Sequence, residues 1–162
     1  MENRSSDASQ GLAPIRTDFS GRRLPAGRER VVALNRHPVR VNIAQLQAVY
    51  VANDYLACVC TVEPFDCSIK AIETSALWAT DGKGDQDMGV HFFERKTFDE
   101  KDSTSCNKIE FAISTRLPRS PLSYRGQLLK INWLISLRVF LANDAEFKFE
   151  FPFRVVGSPE QA

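Results

Sequence analysis

The four cysteines, Cys58, Cys60, Cys67 and Cys106, form no CxxC pair, and the two histidines, His37 and His91, stand alone. That spacing is not the pattern of a common Cys/His zinc site. No apolar run approaches the ~20 residues that a membrane-spanning helix needs. The first ten residues are polar and carry no apolar core of a signal peptide. With a net charge of +1 and 25% charged residues, nothing pulls the whole chain toward nucleic acid or an anionic membrane. No GxSxG elbow is present to hold a nucleophile. Gly82-Lys83-Gly84 has the glycines and lysine of a phosphate loop, but no helical pattern follows it. No amphipathic helical segment follows any strand-like run, which argues against a parallel α/β sheet as well. The resulting expectations are a cytoplasmic, reducing location, no cofactor, no nucleic-acid partner, no transmembrane segment and no enzymatic activity.

What the chain does have is alternation. From Leu129 to Leu141, the residues Leu129, Ile131, Trp133, Ile135, Leu137, Val139 and Leu141 share one face. Lys130, Asn132, Ser136 and Arg138 take the other, with Leu134 and Phe140 as apolar exceptions. After a turn, Phe147, Phe149, Phe151, Phe153 and Val155 alternate with Glu146, Lys148, Glu150 and Arg154. A period of two over this length marks two β-strands with one buried face. A two-residue turn at Asn143-Asp144 would set Leu141 against Glu146, apolar against charged. A turn of three or five residues centred on Asp144 pairs 141 with 147, 139 with 149 and 137 with 151, so both apolar sets share one core. That register also places Arg138 opposite Glu150.

Elsewhere the pattern is shorter but similar. Val39, Val41 and Ile43 read as a strand, and the stretch from Ala44 to Ala48 as its continuation toward Val51. Asn53-Asp54 is a turn signal. Tyr55 to Val62 is apolar on both sides, as in a central strand covered on both faces. Ser68 to Thr80 is a longer strand whose pattern shifts near Ala71, the mark of a bulge. Met88 to Glu94 and Cys106 to Thr115 complete the set. Seven or eight strands at about ten-residue spacing predict an all-β, immunoglobulin-like antiparallel β-sandwich. Its span is 29–156. Residues 1–28, with Arg16, Arg22, Arg23 and Arg28, read as a disordered basic leader, and 157–162 as a frayed tail.

Two groups of residues carry candidate chemistry. Asp81, Asp85 and Asp87 place three carboxylates in one loop, which could gather a hard cation such as calcium at an end of the sandwich. The spacing lacks the closing glutamate of an EF-hand, and Lys83 sits among the acids, so a solvated hairpin loop is the favoured reading. Cys58 and Cys60, two apart on one strand, point to the same face and are badly placed to bridge each other. They read as buried free thiols, with a disulfide or a metal site among the four cysteines as lesser alternatives. A Cys–His catalytic pair would have to draw on His37 or His91.

The stretch from Ile109 to Phe140, IEFAISTRLPRSPLSYRGQLLKINWLISLRVF, resembles the arrestin-like family. The matching residues are Phe111, Leu117, Pro118, Pro121, Ser123, Tyr124, Gly126 and Trp133. Ile72 to Arg95 looks like small bacterial relatives of that family, with an aromatic-Thr strand end, a GKGD loop and a V-H-x-F strand. The likeness runs over about Val31 to Val155. It implies a β-sandwich and a non-catalytic role as an adaptor or scaffold that binds other proteins. The chain has room for one sandwich where eukaryotic arrestins have two, so their inter-domain polar core does not carry over. The alternative function is a module that binds calcium or a small ligand through the loop from Asp81 to Asp87.

Overall fold

Alternating apolar residues oblige a strand to bury one face, and the computed structural model shows what they are buried against. It describes residues 30–32, 38–99 and 108–158. The leader 1–28, His37, Cys106 and the last four residues of the tail lie outside the described residues. The strands are β1 (Arg30–Val32), β2 (Val39–Ala44), β3 (Val49–Val51), β4 (Tyr55–Pro64), β5 (Ile69–Gly82), β6 (Met88–Thr97), β7 (Ile109–Arg116), β8 (Tyr124–Arg125), β9 (Leu129–Leu141) and β10 (Glu146–Val156). Seven of these have six or more residues. The three short ones are below the length at which alternation can be read.

They form two sheets. One has the order β1-β2-β4-β7; the other runs β3-β10-β9-β5-β6, with β8 also paired to β9. The chain is an all-β sandwich, antiparallel except where β3 runs parallel to β10. One continuous core fills the gap between sheets. Val41, Leu56, Cys60 and Val62 enter it from the first sheet, and Trp133, Ile135, Leu137, Val139 and Val155 from the second, all fully buried.

The β9–β10 hairpin has the expected odd parity but a shifted centre. Val139 faces Phe147, Leu137 faces Phe149, Ile135 faces Phe151 and Trp133 faces Phe153. The loop is Ala142-Asn143-Asp144, closed by Leu141 N–H donating to the Ala145 carbonyl at 2.9 Å. Asp144 takes φ 62°, a conformation aspartate tolerates, and this lets three residues make the turn. Because the centre is Asn143, Arg138 lies opposite Lys148, not Glu150.

Two further expectations are corrected. The chain does not continue as strand from Ala44 to Val51: Gln45 takes φ 65°, and the chain leaves the first sheet to join the second as β3. Leu46 is buried at this crossing. Strand β4 is central, but only its inner face is fully covered, since Tyr55 and Ala57 are exposed. The bulge near Ala71 is present, as a register shift between Ile69 and Ala71 against β9.

The segment from Leu117 to Ser123 carries the chain from β7 across to the second sheet. Leu117 is buried, and its N–H donates to the Asp54 carbonyl at 2.8 Å. The Ser120–Pro121 bond is cis, and the Pro121 carbonyl accepts from Trp133 Nε1 at 2.9 Å. Ser123 Oγ accepts from Val155 N–H at 2.9 Å. A side chain on Gly126 would strike the Tyr124 ring. The phrase that carries the family likeness is therefore a sheet-to-sheet strap with packing and hydrogen-bonding duties.

Candidate functional site

The second sheet has an outer face, and its composition is uneven. Ile72, Ala76 and Trp78 of β5 turn toward the core, so Glu73, Ser75, Leu77 and Ala79 point outward. Opposite them on β6 stand Arg95, Phe93, Val90 and Met88. The β6 sequence slips between Ala76 and Leu77 of its partner, which makes His91 the extra residue of a bulge. This slip keeps both Val90 and Phe93 on the outer face, which strict alternation would forbid.

β6 is the outermost strand of its sheet. Among the described residues it pairs only with β5. Its outward residues Met88, Val90 and Phe93 are 61%, 54% and 57% exposed. Exposed apolar side chains taken singly need no explanation, but three in a row along an unpaired strand edge form a patch. The patch continues inward across the sheet through Leu77, Leu134 and Pro152. Leu134, one of the two apolar exceptions on β9, is 4% exposed, covered within this row. Gly89, between Met88 and Val90, has no side chain because the Trp78 indole lies where its Cβ would be.

Above the patch lies an ion network that sequence reasoning missed. The Glu73 carboxylate, only 10% exposed, accepts from Arg95 on one side and from Arg138 at 3.0 Å on the other. Arg138 Nε also donates to Glu146 at 2.7 Å. Both guanidiniums lie over the Phe140 ring, at 5.4 and 5.1 Å from its centre. Phe140, the second apolar exception, is thus a cation–π platform. The hydrogen bond from Arg138 holds the Glu146 carboxyl below the ordinary glutamate range. The only signal in the sequence was a glutamate on the polar face of β5 with arginines on two other strands.

The loop between β5 and β6 contains Asp85 and Asp87, and Asp81 precedes it near the end of β5. Asp81 pairs with Lys130 at 3.7 Å. Asp87 Oδ1 accepts from Met88 N–H at 2.8 Å, and Asp87 N–H donates to Thr80 Oγ1 at 2.7 Å. All three aspartates are exposed. Among the described residues, no three His, Cys, Asp or Glu side chains gather into a set able to hold a metal.

His91 Nε2–H donates to the Arg116 carbonyl at 2.7 Å, and its ring meets Trp133 edge-on with centres 6.2 Å apart. The imidazole thus ties β6 to β7 across the gap between sheets, with a main-chain carbonyl as its partner. Cys58 and Cys60 are buried free thiols. The Cys60 thiol is pushed up, first by its hydrogen bond with Cys58 and then by burial, so it stays protonated and non-nucleophilic. Cys67 Sγ donates to the Pro38 carbonyl at 3.1 Å.

No protein-family model and no curated protein matches the chain. Among solved structures it is similar to Spo0M, a sporulation control protein from Bacillus subtilis, with a TM-score of 0.58 at 11% identity over 76% of this chain. The match covers 51% of the Spo0M chain, so this chain spans about half its length. At that identity the likeness is one of fold, the β-sandwich. No helix among the described residues is long and apolar enough to cross a membrane.

Proposed function

We propose that this protein is a non-catalytic, arrestin-like interaction module of the cytoplasm that binds protein along β6. The observation that carries the reading is the ten-residue edge strand with Met88, Val90 and Phe93 exposed on one face. An edge left unpaired among the described residues offers main-chain donors and acceptors, and the apolar row offers side-chain contact, the two ingredients of strand addition. The family resemblance and the fold shared with Spo0M support a regulatory role. The His91 bond to a carbonyl and the protonated Cys60 weigh against thiol catalysis.

The test is affinity capture from the native cell with the wild type and with Phe93→Asp. The Phe93 side chain is exposed, so the variant should keep its circular dichroism spectrum and thermal transition. A partner retained by the wild type and lost from the variant supports the reading; identical partner sets from both sink it. Cation binding by Asp81, Asp85 and Asp87 is the alternative, supported by composition. Isothermal titration with calcium decides it: heat at millimolar calcium or below, abolished by Asp85→Asn with Asp87→Asn, would establish it.

A further inference from the structure

Strand β6 carries one residue more than its partner. Ala76 faces Phe92 and Leu77 faces Val90, so His91 is left over. His91 and Phe92 both turn inward: Phe92 packs against the core, and the His91 ring meets Trp133. The bond from His91 Nε2–H to the Arg116 carbonyl, at 2.7 Å, pins the extra residue to the first sheet. Its consequence lies at the edge of β6 that no described strand pairs with. Bonded and non-bonded pairs alternate along an antiparallel ladder. Thr80 N–H donates to the Asp87 carbonyl at one end of the β5–β6 pair, and Phe98 N–H to the Lys70 carbonyl at the other. Followed inward from both ends, this alternation turns the main-chain groups of Gly89, Phe92, Glu94 and Lys96 to β5. Those of Met88, Val90, Phe93, Arg95 and Thr97 turn to the open edge.

We infer that the His91 bulge is a built-in stop that keeps a regular strand from pairing along the whole β6 edge. Edge-facing main-chain groups recur every two residues over 88–90 and again over 93–97, but three residues separate Val90 from Phe93. A regular strand offers its own groups at every second residue. One in step with Phe93 and Arg95 is therefore out of step with Met88 and Val90. The shorter side is closed further, because Asp87 Oδ1 already accepts from Met88 N–H at 2.8 Å. That removes one of the two edge-facing donors there. Bulges and inward-pointing charges are both means of blunting a sheet edge, and β6 has the second as well. Glu94 and Lys96 point to the inner side and pair at 3.8 Å, with Lys96 Nζ 4.9 Å from the centre of the Phe111 ring. The stop belongs to the fold and holds whether or not a partner uses this edge. Where a partner strand adds, the stop limits its ladder to residues 93–97.

Hydrogen exchange of the full chain, read amide by amide by NMR, is the first test. Gly89, Phe92, Glu94 and Lys96 should exchange at least about tenfold more slowly than Val90, Phe93 and Arg95. Met88 should be slowed relative to Val90 until Asp87→Ala frees it. Fast amides at every second residue straight through His91 overturn the inference. The second test is deletion of His91, which keeps every β5 partner in place and makes the edge regular. Its control is His91→Ala, which loses the bond to Arg116 but keeps the residue count. Both are followed by sedimentation equilibrium, with circular dichroism to establish folding. The deletion should self-associate at least about tenfold more tightly than the wild type, and His91→Ala should not. A folded deletion variant no more associated than the wild type overturns the inference; if the deletion does not fold, the wild-type exchange pattern decides alone. If the exchange break is found while Phe93→Asp and the wild type capture identical partners, the stop stands and the reading of β6 as a partner site falls.

Discussion

Glu73 shows how a single residue can organise a sheet face. Its carboxylate is nearly buried between two guanidiniums that are each about half exposed. Removing it leaves two arginines without their shared acceptor, and charge-assisted bonds of this kind are worth about 2 kcal/mol. Glu73→Ala should therefore lower the thermal midpoint by roughly 4–8 °C for a domain of this size, with Glu73→Gln intermediate; an unchanged midpoint would show the network to be incidental. Glu146 makes part of this network depend on pH. Its folded pKa is depressed by Arg138, so its contribution is present at neutral pH and is lost as the pH falls through the depressed value. NMR titration should find the Glu146 carboxyl below the ordinary glutamate value, and Arg138→Gln should raise it. None of this is visible along the chain, because Glu73, Arg95, Arg138 and Glu146 belong to four strands that only the sheet order makes neighbours.

Among the elements, the β9–β10 hairpin was legible and its register was only partly so. Parity followed from the demand that Phe149 and Leu137 share a face, since any even loop would expose one apolar set. The choice between centring on Asn143 or Asp144 was not decided by that demand, because both centres satisfy it. Asp144 settles it by adopting the left-handed conformation. β6 is the opposite case. Its period breaks at His91, and the break puts Phe93 on the outside with Val90. Gly89 is fixed by packing rather than by turn chemistry: its missing side chain is the space the Trp78 ring fills. Gly89→Ala should cost about 2 kcal/mol by overpacking, read as a lower denaturant midpoint at unchanged slope. A variant as stable as the wild type would mean that Trp78 moves freely.

For the molecule as a whole, one core joins both sheets, so the two should unfold together. Tryptophan fluorescence, from Trp78 and Trp133 of the second sheet, and far-ultraviolet circular dichroism should give coincident denaturation midpoints. Leu56→Asp in the first sheet and Phe151→Asp in the second, both fully buried sites, should each abolish that single transition. Separate midpoints would mean that the sheets are independent units. The sequence by itself determined that this is a β-sandwich, which strands are long and which faces are buried, because alternation is a local property of the chain and hydrophobic burial enforces it. The tertiary structure decided the rest: that β6 is an edge, that Gln45 turns the chain into the other sheet, and that four distant charged residues form one network. Sheet order is set by which strands meet in space, and alternation is the same on an edge strand as on a central one. The exposed row Met88, Val90 and Phe93 therefore became a candidate surface only once β6 was found at the margin of its sheet.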